Sequence, residues 1–389
     1  MIGIGRLILT IISLLLVGIV VVSFLEFFNI IDVPQALSLK HLMGKSDATE
    51  VSSNSTEIRN KVVDNRTVKY VETENGTSII DENIIVGTSV PQASAQTNQD
   101  VKRFHYNQLS DTSKIIYTEL YNNIDNLKSG VYNVEFKESF SEVLGQPNGT
   151  DLLTEYFNLA INALTFDNPE LFFINLNKTY LLTQQITYPT GSVKYKVSIG
   201  SNKGESYLAD GFQNAADVEE ALITTRTYRD AIISRANMET SDKGKVRVVH
   251  DYLVDTIEYD TSLVKENIYN IYGALNNREA VCEGYARAFK YILDELGVPC
   301  IIVCGMATNS KGEVEDHAWN YVYINDRWYA VDVTWDDPIL IGGGSLTTEL
   351  KYKYFLMGRS TFEYNHKEDG YIVGNTFAFK YPTLSLTDY

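Results

Sequence analysis

The chain is poor in cysteine, and what it has does not pair. Three cysteines occur in 389 residues: Cys282, Cys300 and Cys304. An odd count leaves at least one thiol outside any internal bridge. Cys300 and Cys304 fall in "PCIIVCGM", which reads as a buried strand. Four residues apart on a strand sets them about 13 Å apart on one face, beyond the roughly 7 Å that a disulfide tolerates. Both read as small core residues. Positive charge is also short: 33 Lys and Arg stand against 50 Asp and Glu, for a net charge of −17. Phosphate backbones need a basic face, so nucleic acid is excluded as a partner. An acidic surface suits solubility and favours cationic ligands such as amines. His and Cys spacing gives no zinc site. No Asp-x-Asp-x-Asp-Gly loop marks an EF-hand calcium site, so no metal or cofactor is expected. No repeat of solenoid length appears.

What is present is a core and one long apolar run. Hydrophobic residues make up 44% and aromatics 12%, as in a globular protein. The length allows two folded units at about 150 residues each. Residues 7–28, "LILTIISLLLVGIVVVSFLEFF", are long enough to span a bilayer. Arg6 before them favours an N-terminus inside. The nearest cleavage-like triplet, Ala93-Ser94-Ala95, is far downstream, which favours an uncleaved anchor over a removed signal. Either reading exports the rest of the chain. Residues 29–104 read as a flexible polar linker, rich in Ser, Thr, Asn, Asp and Glu. Residues 105–240 read as a helical and mixed region. It has a helix after Ser110-Asp111 with Ile115, Ile116, Leu120 and Ile124 inward. A second helix ends in a Pro turn and an apolar strand, and a hairpin turns at Pro-Thr-Gly. Residues 241–389 read as a second unit. It opens on a helix with Val246, Val249, Leu253 and Ile257 in one stripe. His250 on that helix reads as a packing or surface histidine with no partner evident.

Two stretches of the second unit carry chemistry. In "REAVCEGYARAFKYILDELGVPC" a helix runs from Cys282 to about Leu296. Ala286, Phe289, Leu293 and Leu296 form its apolar stripe, and Gly297 and Pro299 stop it. Cys282 lies on the inward stripe at the helix start. That position by itself favours a packing residue, and it also suits a thiolate stabilised by the helix dipole. In "DHAWNYVYINDRWYAVDVTWDDP" strict alternation flanks Asn325-Asp326, a tight-turn pair. If those two make the turn, Ile324 faces Arg327, Trp319 faces Asp332, and His317 faces Thr334. His317 and Asp332 are then diagonal neighbours on one face. A carboxylate there fixes the imidazole's tautomer, and the imidazole holds a thiolate. The helix stripe is expected to pack on this face, shared with Trp319 and Trp328, so that Cys282, His317 and Asp332 converge.

These residues resemble a known family. "AVCEGYARAFKYILDELGVPC", "HAWNYVYINDRWYAVDVTWDDP" and "YKYFLMG" are similar to the bacterial transglutaminase-like superfamily, over about residues 244–358. More loosely, "LSDTSKIIYTELYNNI" and "DNPELFFI" resemble the helical region before this domain in exported proteins of Firmicutes. The resemblance implies an α+β fold: a papain-like transglutaminase core, its Cys helix packed on an antiparallel sheet, preceded by a mainly helical region. It implies acyl transfer through a thioester on Cys282, with His317 moving protons and Asp332 orienting it. The substrate would be a carboxamide or peptide carbonyl of a cell-surface protein or of peptidoglycan peptide. The enzyme would be membrane-anchored on the extracellular face, or secreted if the N-terminal segment is cleaved. Peptidase activity or a non-catalytic surface module would use the same fold. The Cys282 N–H is an oxyanion donor in this reading, and Glu283 reads as a plain first-turn carboxylate. Trp319 and Trp335 are candidate cleft walls, or core.

Overall fold

A computed structural model describes residues 58–59, 101–201, 204–265, 267–338, 346–368, 372–373, 376–377 and 379–389. Among them no helix is long and apolar enough to cross a membrane. The apolar run 7–28 lies outside the described residues, as does nearly all of the polar stretch after it.

The first helices follow their local signals. Ser110 Oγ accepts from the Ser113 N–H and caps α1 (Asp111–Asn122), which buries Ile116, Tyr117 and Leu120. Ile115, expected inward, is 38% exposed. Tyr117 is the inward residue because 116, 117 and 120 share one helical face. Helix α2 (Gly149–Asp167) is buried on most sides. The apolar strand expected after it does not form. Pro169–Leu171 is a 3-10 turn, and only Ile174 makes an isolated bridge, to Leu208. Phe172 and Phe173 are buried all the same, and a short apolar run does not separate a buried turn from a buried strand. Strands β1 (Tyr180–Thr187) and β2 (Val193–Gly200) then form the expected hairpin, flanked by the short strands Ile58–Arg59 and Val134–Glu135.

Three helices lead to the main sheet. Asn214 caps α3 (Ala215–Ala236), and Ser241 caps α4 (Asp242–Thr256), whose Val246, Val249 and Leu253 are buried. Helix α5 (Cys282–Leu296) stops at Gly297, which takes φ 73° in the left-handed region. It contacts α3, α4 and the sheet, and every residue from Glu283 to Leu293 is buried. Most of its charged side chains are paired inside. Lys290 reaches Asp294 at 2.8 Å and the Cys300 carbonyl at 3.1 Å, and Arg287 reaches Glu283.

The main sheet has five antiparallel strands: β3 (Cys300–Thr308), β4 (Val314–Ile324), β5 (Arg327–Val331), β6 (Phe355–Met357) and β7 (His366–Lys367). Their order is β6-β5-β4-β3-β7. Asn325 and Asp326 make the turn, with φ 49° and 61°, and Ile324 pairs with Arg327 as the alternation requires.

Helix α5 does not lie on the face expected. Asn320 Nδ2 donates to the Ala286 carbonyl at 3.0 Å. Side chains alternate along a strand, so α5 covers the face of Ala318 and Asn320. Trp319 lies on the other face, against Phe362 and His366. Cys300 and Cys304 sit buried on the α5 side, and all three cysteines are free thiols. Residues 379–389 strap the molecule. Leu384 bridges Trp328, the Ser385 N–H donates to the Trp328 carbonyl, and the Lys380 N–H donates to Gln108 Oε1. One apolar cluster therefore runs from Val101 to Leu384.

Candidate active site

Helix α5 begins with no side-chain cap at Val281. The positive end of its dipole is thus left at Cys282. Cys282 is half-buried and lines a cleft of about 960 Å³ together with His317, Thr334, Trp335, Met306 and Tyr354.

Strand β4 outruns its neighbour here. The β4–β5 pairing ends at Asn320–Val331, so Trp319 does not pair with Asp332, nor His317 with Thr334. The chain turns instead, and the Asp332 side chain makes the turn. Its Oδ1 accepts from the backbone N–H groups of Thr334 and Trp335, each at 3.1 Å. The diagonal contact survives: His317 Nε2 meets Asp332 Oδ2 at 2.7 Å. Cys282 faces the same imidazole and contributes to raising its pKa. With Nε2 engaged by Asp332, Nδ1 is the nitrogen left for the sulfur.

Both ionisable partners are buried, His317 at 5% exposure and Asp332 at 0%. Burial would lower the His317 pKa, but the Asp332 carboxylate outweighs it and raises it to about 10. Burial would likewise raise Asp332, yet His317 and the hydrogen bonds to Asp332 hold it well below the usual carboxylate range. An imidazolium beside a carboxylate is the stable state at neutral pH.

A second histidine completes the carboxylate. His366 Nε2 meets the same Asp332 Oδ2 at 3.1 Å. Burial, above all, holds this imidazole below its ordinary pKa. Sequence reasoning missed His366: it comes 34 residues after Asp332, on a two-residue strand without periodicity. Ligand-type atoms of His317, Asp332 and His366 lie within 4.8 Å of one another. Both Nε2 atoms sit at hydrogen-bond distance from one carboxylate oxygen, which accounts for the cluster as a hydrogen-bonded set.

The two candidate tryptophans part company. Trp335 lines the cleft, 5.0 Å from the His317 ring and 4.5 Å from that of His366. Trp319, 1% exposed, is core and does not reach the cleft wall. Alternation turns it under the segment that carries Phe362.

The turn after β5 has three carboxylates, each with its own partner. Asp336 Oδ2 meets His250 Nε2 at 3.0 Å, and Asp336 Oδ1 accepts from the Tyr354 N–H at 2.7 Å. Asp337 accepts from the Tyr285 hydroxyl at 2.7 Å. His250 is therefore a buried, partnered residue that ties α4 to the turn. Its position on the inward side of α4 was the signal available. Glu283 is likewise no plain surface carboxylate: it is 4% exposed and bonded to Arg287 Nε at 2.8 Å.

A thiol at a helix start, an imidazole on a strand and a carboxylate just past the next strand define a papain-like arrangement in an α+β domain. Residues 227–333 match the family model of the transglutaminase-like superfamily, and the chain carries that domain. The match takes in Cys282, His317 and Asp332 and stops short of His366. The chain is 29% identical over 166 residues to the kyphoscoliosis peptidase of Mus musculus and 27% identical over 169 residues to that of Homo sapiens. Each alignment covers 39% of this chain and 25% of the relative, so the match spans about a quarter of the relatives' length. A crystal structure of a TGase aligns at 15% identity, over 46% of this chain and 50% of that one, with a TM-score of 0.27.

Proposed function

We propose that this protein is a cysteine-dependent acyl transferase or amidase that works through a thioester on Cys282. The observation that carries the reading is Cys282 and His317 together on one cleft, with Asp332 hydrogen-bonded to His317 from behind it. A packing cysteine needs neither an imidazole partner nor access to solvent; a nucleophile needs both. The thiolate attacks a carboxamide carbonyl, and the carbonyl π pair moves onto oxygen. The Cys282 N–H, at the uncapped start of α5, is a donor for that oxyanion. His317 gives its proton to the departing nitrogen as the C–N bond breaks, leaving a thioester. His317 then takes a proton from water or a primary amine, which attacks the thioester and releases the thiolate. Water yields the acid; an amine yields a new amide; ammonia leaves in both cases. Trp335, on the cleft wall beside His317, shields the ion pair from water.

The substrate in this reading is a protein or peptide carboxamide at the cell surface, peptidoglycan peptide included. The chain would be held at the outer face of the membrane by residues 7–28. A peptidase reading uses the same steps with a peptide bond as the one cleaved, and the names of the two relatives favour keeping it. The deciding experiment incubates the full chain with a glutamine peptide and a labelled primary amine. Incorporation identifies transfer, ammonia without incorporation identifies hydrolysis, and a cut peptide identifies peptidase action. Cys282→Ala should abolish all three, together with labelling by a thiol-directed electrophile. Unchanged activity in that variant would sink the reading.

A further inference from the structure

Asp332 serves two imidazoles from one oxygen. Oδ2 takes His317 Nε2 at 2.7 Å and His366 Nε2 at 3.1 Å, while Oδ1 takes two backbone N–H groups. His366 is held for this task. Its ring stacks on Phe362 at 4.0 Å and meets Trp335 at 4.5 Å. Asn365 Oδ1 lies 2.9 Å from Nδ1, and Nδ2 of the same amide lies 3.0 Å from the Tyr354 hydroxyl; a half-turn of the amide exchanges the two atoms, so that Nδ2 donates to Nδ1 and Oδ1 accepts from the hydroxyl. His366 takes no part in the bond-making and proton-moving steps of acyl transfer. It lines neither the cleft nor the surface, being 2% exposed.

The titratable groups facing this pair come from several elements. Cys282 on α5 and Asp332 after β5 meet His317; Asp332 and His317 face His366. Tyr354, before β6, is reached through Asn365. Of these, Asp332 is the carboxylate, and it is held ionised. An unshared carboxylate against a buried imidazolium would hold its proton too tightly for a general acid, whose pKa must lie near the working pH. A second N–H donor on the same oxygen draws off part of that basicity.

Resting on the thioester reading, we propose that His366 is a positioning residue for that reaction. Its Nε2–H shares Asp332 Oδ2 with His317, fixes the carboxylate, and keeps the His317 imidazolium acidic enough to protonate the leaving nitrogen. This requires a neutral His366 that donates from Nε2, with the Asn365 amide turned so that its Nδ2 faces the bare Nδ1.

The test uses the full chain, its His366→Phe and His366→Gln variants, and two readouts. One is the pH dependence of Cys282 alkylation by iodoacetamide, which needs no identified substrate. The other is kcat and KM for ammonia release from a glutamine peptide. Phenylalanine keeps the stacked ring and removes the donor. His366→Phe should move the alkaline limb of both profiles up by about one pH unit and lower kcat about tenfold with KM unchanged. Glutamine sets an amide N–H where Nε2 stood, so His366→Gln should return the limb to its place and kcat to within about twofold. A His366→Phe protein with the parent's profile overturns the inference. So does a folded His366→Gln protein as impaired as His366→Phe, since that marks a role in packing alone. If His366→Phe does not fold, imidazole nitrogen NMR of the parent decides. Protonation of His366 at Nε2 supports the proposal, and protonation at Nδ1 alone overturns it. Parent alkylation that is indifferent to His317→Ala overturns the functional reading and this inference with it. A His317-dependent parent with an unmoved His366→Phe profile overturns this inference alone.

Discussion

Every acceptor position of the Asp332 carboxylate is used: two by the backbone of the turn it shapes, two by imidazoles. One side chain thus sets a turn and holds the His317 imidazole, and the two roles separate in Asp332→Asn. The amide oxygen still caps the turn, while the charge that keeps His317 protonated is gone. Turnover should fall about a hundredfold or more. Stability follows pH with a definite sign. His317 is raised from 6.5 to about 10, so its stabilisation is full below about pH 6.5 and is lost as pH rises through 10. Asp332 is held low, so its share is present above about pH 4 and is lost as pH falls through its depressed folded pKa. The Tm difference between parent and Asp332→Asn should be largest between about pH 4 and 6.5 and should vanish by about pH 10. A difference that grows with pH would contradict the ion pair.

Among the elements, α5 does most to build the site and carries most of its charge inside. Arg287 is bonded to Glu283 and, at 2.6 Å, to the Thr165 carbonyl of α2, with 8% and 4% exposure for the pair. Arg287→Ala removes the buried cation beside Glu283 and should cost about 3–5 kcal/mol; adding Glu283→Ala should recover part of it. Urea unfolding of the single and double variants measures both. The limits of α5 and the β4–β5 turn were legible in the sequence because their signals are local. A glycine takes the left-handed stop, and Asn325-Asp326 tolerate positive φ. Which face α5 covers was not legible. From His317 to Val322 every residue of β4 is buried, so alternation marks two faces without saying which meets the helix. The nearness of His317 to Asp332 was legible, although the pairing that predicted it ends before reaching them. His366 was not, because nothing in a two-residue strand announces a partner in space.

At the scale of the whole molecule, charge is lopsided. The chain carries −17, and the cleft wall follows it, with Glu315, Asp316 and Asp337 against Lys353. A cationic acceptor should be drawn in and a neutral one of the same shape should not. Raising salt from about 0.05 to 0.5 M should raise KM for a lysine-bearing acceptor on the order of threefold, with little change for the neutral analogue. Equal salt responses would assign the acidic surface to solubility alone.

The strap formed by residues 379–389 bears on the order in which the domain closes. It joins Lys380 to Gln108, 272 residues away, and lies along Trp328. In a growing chain Cys282 emerges long before His366 and the strap. Contacts of such separation close late, and until they close the Asp332 carboxylate lacks its second imidazole. The site is therefore completed late in folding, after all the elements that carry its side chains have been made.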